Sequence, residues 1–545
     1  MFLVLLVCAC GGGGGGGNTG PTIAVSTNSL TFAAANQAAP APPMQTLTAT
    51  VAGGTVYVAV FYGGAVISNV TYSCPGGATC NINVFPAAPA ALGPGSFTGA
   101  VTVYGCADSN CNTQVGGSPQ VVNVNYQIAA TPAQVSTVAP YVATTNTAGD
   151  VILRGISFSQ VAVQNVLFNS TPATSFSAIS DTEVRATHPA LPAGSYAVTL
   201  QTASGTVAST ATLVVVDAPG FVAPNLLYPN PTSKKIVGMV YDAERQALLV
   251  AVNYPADRTT NQVLRYPFSS GSWQAPATIV NLRDLTLSPN GAKLLALADT
   301  SLTELNPSTL AAGITTNANF SSSFEYFKNL VMANDSNAVI TSGWNGSGST
   351  PVYLYNTGTP GFAVPTASGG GVNSIAYGTP GASADGSRVA LIQGFISPPQ
   401  PVYEYLASTG TLAPTAVNLN QKSVPSDLNI APAMNRAGSR VVLDNTGGTH
   451  AYDINQSTGS YTVISGALPS TTLAVVLSPD GQFAYTYDSA ASVRKFNLSV
   501  VPVLEVGAPG TPVSNAGSTA KMTISPDGGT LFVAGSDLVI VMPAP

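Results

Sequence analysis

Ser478-Pro479-Asp480-Gly481 recurs along the second half of the sequence, and the interval of its recurrence limits the fold more than any other feature. Ser525-Pro526-Asp527-Gly528 repeats it, and Ser288-Pro289-Asn290-Gly291 and Ser383-Ala384-Asp385-Gly386 are near copies. Each stands between two short apolar runs, such as Leu473-Ala474-Val475-Val476-Leu477 and Phe483-Ala484-Tyr485-Thr486-Tyr487. Each therefore reads as a hairpin, in which proline sets φ at the first turn position and Asp-Gly tolerates the positive φ that closes it. Weaker copies at Ala243-Glu244-Arg245-Gln246, Asn334-Asp335-Ser336-Asn337 and Arg436-Ala437-Gly438 fill the gaps. With residues 244, 290, 335, 385, 437, 480 and 527 taken as equivalent, the steps are 46, 45, 50, 52, 43 and 47. Seven units of the length of a four-stranded blade imply a seven-bladed β-propeller.

A chain of 545 residues is too long for one core and divides into about three domains. No segment of helical length carries a 3.6-residue period, whereas short alternating runs between turn residues are frequent. The expected class is all-β, with two immunoglobulin-like β-sandwich domains followed by the propeller. Charged residues make up 7% and the net charge is −6, with no basic block, so nucleic-acid binding is excluded as an expectation. A hydrophobic fraction of 45% with regular strand spacing sets the chain apart from disorder beyond its N-terminus.

Residues 1–19 combine an apolar run, Val7-Cys8-Ala9-Cys10 and an unbroken tract from Gly11 to Gly17. The run is too short to span a bilayer. It resembles the bacterial lipobox, with Ala9 before the cut and Cys10 as the lipidated residue. No Lys or Arg precedes the run, so the true start is expected upstream. The glycines read as a flexible tether. Gly11 rather than Asp after the cysteine implies, by resemblance, an outer-membrane lipoprotein of a Gram-negative bacterium, periplasmic or surface-exposed.

Residues 20–130 read as a first β-sandwich, and Cys74, Cys80, Cys106 and Cys111 all lie in it. In an exported protein they are expected as two local disulfides, 74 to 80 and 106 to 111, because each pair brackets a turn. The spacings are not CxxC and the domain has no His, which argues against zinc. Residues 131–217 resemble the IPT/TIG immunoglobulin-like domains through Val138-Ala139-Pro140, Gly149 to Phe158, Val166-Leu167-Phe168-Asn169 and Ala193-Gly194-Ser195-Tyr196. The resemblance implies a spacer or interaction module without catalytic residues, and His188 before Pro189 reads as a surface histidine. Residues 218–545 resemble the YVTN/lactonase-like seven-bladed propellers through the Ser-Pro-Asp-Gly turns.

Propellers usually bind on the face carrying the loops between the second and third strands of each blade, here the B–C face. Seven to nine residues past each turn stand Asn253, Asp299, Trp344, Gly394, Asp444 with Asn445, Asp488 and Gly535. Asn253, Asp299, Trp344, Asp444 and Asp488 are the candidate ligand-binding residues, although Asp and Asn also commonly end strands and cap turns. Hydrolysis needs a nucleophile beside a base, a metal cluster or two spaced carboxylates. The propeller has one histidine, His450, no cysteine and no Gly-x-Ser-x-Gly elbow, and cations such as Arg258, Arg283 and Arg494 are scattered through its strands. No Asp-x-Asp-x-Asp loop offers a calcium site. The expected function is therefore a lipid-anchored module binding protein or polysaccharide at the cell surface, with no catalytic residue, cofactor or metal. A lactonase-like hydrolase, which the resemblance also implies, is the alternative; a His or Arg cluster on the B–C face would favour it, and the sequence is read as having none there.

Overall fold

The computed structural model describes residues 6–8, 20–75, 77–203, 205–219, 226–227, 235–254, 257–320, 322–344, 350–367, 374–375, 378–393, 400–419, 430–445, 448–507, 520–535 and 538–545. Cys10, the glycine tract and Gly394 lie outside the described residues. The chain forms two compact units, residues 1–132 and 133–545.

The first unit is a two-sheet sandwich. One sheet runs in the order Leu6–Cys8, Val56–Gly63, Gly95–Cys106, Gln120–Ile128, Ser29–Ala34, and the other Thr22–Val25, Gln45–Ala52, Thr79–Pro86, Ile67–Ser73. Two neighbouring strands, Ser29–Ala34 and Gln120–Ile128, alternate strictly: Leu30, Phe32 and Ala34 point inward with Val122, Val124, Tyr126 and Ile128, while their neighbours face out. Both disulfides are local, Cys74 to Cys80 and Cys106 to Cys111, as the bracketed turns imply.

The second unit begins with another two-sheet sandwich. One sheet is ordered Ser175–Ser180, Glu183–His188, Gly149–Ile156, Gln134–Ala139, Ala208–Ser209, and the other Val142–Thr144, Thr212–Val216, Gly194–Thr202, Val163–Phe168, Thr171–Pro172. Its core is built on Val135, Leu153, Phe158, Phe168, Val184 and Leu200.

Seven sheets of at least four strands follow. Their innermost strands are Lys235–Asp242, Leu282–Leu287, Glu325–Met332, Thr379–Ala382, Ala433–Met434, Thr472–Leu477 and Lys521–Ile524. Each packs against the next and the last against the first, which closes a seven-bladed ring. The seventh blade takes three strands from the C-terminal end of the chain. Its outermost strand is Leu226–Leu227, paired antiparallel with Leu538–Pro543, so the start of the propeller segment clasps its end. Tyrosines, buried at 355 and 405 and half-buried at 461, stitch neighbouring blades: the hydroxyls of Tyr355, Tyr405 and Tyr461 donate to Glu304, Asp335 and Glu404 at 3.0, 2.5 and 3.0 Å, each on the preceding blade. Every such bond satisfies two groups that would otherwise be desolvated.

The recurrent motif is the A–B hairpin of each blade. The serine hydroxyl donates to the Asp or Asn side chain two residues on and accepts the amide five residues on, as Ser288, Ser383, Ser478 and Ser525 all do. The glycine, not the aspartate, takes the positive φ, at 63° in Gly291, 67° in Gly386, 74° in Gly481 and 77° in Gly528. In the weaker copies Gln246 and Ser336 occupy that position. The residue equivalent to Asn290 in the first blade is therefore Arg245, one place later than Glu244.

Candidate functional site

The second strands end at Asn253, Ala298, Trp344, Ile392, Asn445, Asp488 and Ala534, so the candidate residues do stand at corresponding ends of successive blades. What their side chains do is set by their neighbours. Asn253 donates through Nδ2 to the Leu282 carbonyl of the next blade at 2.9 Å. Asp488, 1% exposed, accepts the amides of Ala490 and Ser492 at 3.0 Å each, and its other oxygen lies 3.0 Å from Arg494 Nε. Asp444 is buried and accepts from the Thr449 hydroxyl at 3.4 Å. Trp344 ends its strand opposite Glu325, and its side chain lies outside the described residues.

Asp299 is paired with two arginines, which the linear sequence does not bring together. Arg258 comes from a short 3-10 turn, Arg258–Thr260, in the first blade's B–C loop, where Asp257 caps the turn by accepting the Thr259 amide. Its Nη1 lies 3.5 Å from Asp299. Arg283 is an extra residue between Leu282 and Asp284 in the second blade's inner strand, one of a series of bulges that recurs between Ile236 and Gly238, Phe327 and Asn329, and Thr472 and Ala474. The bulge aims Arg283 Nε at Asp299 and lays its guanidinium 4.6 Å from the centre of the Tyr326 ring. The expectation of scattered cations is thus corrected here: residues 258 and 283 meet at 299 because blade and bulge geometry override their separation.

Inside the ring runs a channel of about 440 Å³ lined by inner-strand residues of all seven blades, among them Met239, Asn329, Thr379 and Met522. Asp284 and Lys521 are its charged groups. Asp284 is buried, which pushes its carboxyl up from the ordinary range, while Lys521 and the bonds from the Leu285 and Leu330 amides and Asn329 Nδ2 pull the other way.

The A–B end of the ring carries the second sandwich. Arg154 Nε donates to Asn334 Oδ1 in the third blade's turn at 2.5 Å, while its Nη2 pairs with Glu183 at 2.8 Å. Val142 joins a core cluster with Tyr241, Leu248 and Phe532 of the first and seventh blades. A Cβ on Gly291 would lie 1.8 Å from the Tyr141 hydroxyl, and one on Gly149 would lie 2.5 Å from Arg436 Nη1. Contacts that surround the axis from blades one, two, three, five and seven place the sandwich across the A–B mouth. His188, read from the sequence as a surface residue, is 1% exposed in this joint, edge-on to Phe168 and bonded through Nδ1 to the Pro189 carbonyl. Burial holds its imidazole below the ordinary value, and Arg436 adds to the effect against the Pro189 bond and Asp150.

Among the described residues no three His, Cys, Asp or Glu side chains come together as a metal site. No described helix is long and apolar enough to cross a membrane. No protein-family model matches the sequence, and no curated relative is found. Among solved structures the chain is similar to hydrazine synthase of Kuenenia stuttgartiensis, with a TM-score of 0.42 at 11% identity over 60% of this chain and 99% of that one. It is also similar to the β-propeller domain of Cps50 (Swd1) from Myceliophteria thermophila, with a TM-score of 0.39 at 8% identity over 57% of this chain and 100% of that one. Both scores are low, and the propeller described above rests on the seven sheets of this chain.

Proposed function

We propose that the protein is a lipid-anchored binding module that takes a protein or polysaccharide of the cell envelope on the B–C face of its propeller, without turnover. The observation that carries this reading is the occupied A–B mouth. With the second sandwich, an IPT/TIG-like spacer in this reading, seated there, the B–C face is the end of the propeller left for a ligand. Trp344 is the proposed anchor, since large aromatics supply much of the contact energy of such surfaces. Replacing Trp344 with alanine is expected to weaken binding to envelope proteins or glycans displayed on an array by upwards of about 2 kcal/mol with little change in melting temperature. A large fall in melting temperature with intact binding would make Trp344 a core residue. Lactone hydrolysis lost on Asp299→Asn or Asp488→Asn would replace the binding reading with an enzymatic one.

Attachment is proposed through Cys10. Cleavage before it would remove Leu6–Cys8, an edge strand paired only with Val56 to Val58, and would leave that sheet with four strands. Metabolic labelling with a fatty acid in cells is expected to be abolished by Cys10→Ser and retained by Cys8→Ser. Labelling of both variants, or of neither the variants nor the parent, would show that Cys10 is not the anchor.

A further inference from the structure

His188 brings a ring nitrogen with no partner to the seat of the second sandwich. Its Nδ1 lies 2.9 Å from the Pro189 carbonyl oxygen, which can only accept, so Nδ1 holds the proton and Nε2 is a bare lone pair. Nε2 is buried and bonded to no described residue. Across the joint stands Arg436, from the fifth blade's A–B turn. A Cβ on Gly149 would lie 2.5 Å from Arg436 Nη1 and 3.0 Å from His188 Nε2, so both nitrogens crowd the same glycine. Arg436 is tied to the ring through Nη2, which donates to the Pro526 carbonyl of the seventh blade at 2.6 Å. Asp150 on the sandwich, Asp385 in the fourth blade's turn and Asp527 in the seventh's act on its charge through space. A cavity of about 440 Å³ between the sandwich and the turns of the fifth, sixth and seventh blades reaches Gly149 and Thr187, the neighbours of His188.

We propose that this joint is an acid-operated latch: a proton taken from solvent onto His188 Nε2 sets a second cation against Arg436 and releases the sandwich from the A–B mouth of the ring. The groups that face the imidazole are the Phe168 ring, the Pro189 carbonyl, Asp150 on the neighbouring strand and Arg436 on the fifth blade. Asp150 alone among them would draw the proton by its charge. Its Oδ1 is already engaged by the Thr187 hydroxyl at 2.6 Å, and its pull on His188 is smaller than the push of Arg436. Burial, with Arg436, therefore holds the docked imidazole below its ordinary value of about 6.5. Docking is at full strength above about pH 6.5 and is lost as the pH falls from there, by up to about tenfold in the docking equilibrium per pH unit. Asp385 works in the opposite sense, because burial raises its carboxyl above the ordinary range and a raised carboxyl favours the packed form as the pH falls.

The test is hydrogen exchange of the full chain at about pH 7.5 and about pH 5, read as protection factors so that the pH dependence of the intrinsic exchange rate is divided out. Residues 183–188 report the sandwich side of the joint and 435–438 the ring side, with Leu294–Ala298, a buried strand of the second blade, as the control. In the wild-type chain both sides are expected to lose protection by about threefold or more at the lower pH while the control holds. His188→Asn, which keeps a donor for the Pro189 carbonyl and takes no second proton, is expected to show no such fall. Arg436→Gln, which removes the opposing cation, is expected to show a smaller fall than the wild type. Unchanged protection in the wild type, or an equal fall in His188→Asn, would overturn the latch. A fall confined to 183–188 would overturn it too, since His188 would then loosen its own sandwich without releasing the ring. Should His188→Asn be unprotected at both pH values, Arg436→Gln decides: a reduced fall supports the latch and an undiminished one ends it.

Discussion

Replacing Arg154 with alanine is expected to cost the second unit about 3–5 kcal/mol, the usual penalty for removing one partner of a buried ion pair. Arg154 is 8% exposed and Glu183 4%, so the glutamate would stay behind without a counter-ion or water. Asn334 would lose its Oδ1 donor as well, keeping only the bond from its Nδ2 to the Asp385 carbonyl at 2.7 Å. Because that asparagine belongs to the third blade's turn, the loss should loosen the seat of the sandwich on the ring as well as the sandwich itself. Hydrogen exchange read separately over residues 149–156 and 333–337 would resolve the two, which a single melting curve of a multi-domain chain does not. Arg154→Met combined with Glu183→Leu should recover most of the loss, since no charge is then left buried unpaired. A single-variant loss below about 1 kcal/mol would show that the pair is hydrated and the joint is not held there.

The blades were legible in the sequence because their signal is local. Serine, proline, aspartate and glycine within four residues fix a hairpin by their own hydrogen bonds, and repetition then sets the period. Where those residues are replaced, as at Glu244, the register slipped by one, and the two-residue strand Leu226–Leu227 that closes the ring carries no pattern at all. The ends of the second strands were also legible, because they follow each turn by a strand's length, which is how Asn253, Asp299 and Asp488 could be placed. The environments of those side chains were not. Arg258 and Arg283 meet at Asp299 through a B–C loop and a bulge, and the joint pairs Arg154 with a residue 180 positions away. His188 looked exposed because a histidine before proline gives no hint of the neighbouring surface that covers it. Such contacts depend on how finished elements stack, and stacking leaves at most a glycine as its trace in sequence, as Gly149 and Gly291 do at the joint.

The same reasoning predicts where the ring is least tolerant. Gly381 lies in the fourth blade's inner strand, and a Cβ there would fall 1.8 Å from the Pro432 carbonyl oxygen and 2.7 Å from its carbon, on the approach to the fifth blade's inner strand. Those are backbone atoms, so no side chain can swing aside, and the two blades would have to part. Gly381→Ala is expected to cost about 3 kcal/mol or more, at the upper end for overpacking. Gly313, in the outermost strand of the second blade, has a single neighbour, the Glu304 carbonyl oxygen at 3.3 Å, and no positive φ. Gly313→Ala should therefore change stability by no more than about 0.5 kcal/mol. The contrast follows from wedge geometry, since seven sheets that fan outward from one axis crowd their first strands and free their last. Thermal unfolding of the two variants side by side measures it. Equal losses for both would mean that the blades splay enough at the axis to admit a methyl group, and that the ring is looser there than the inner-strand packing requires.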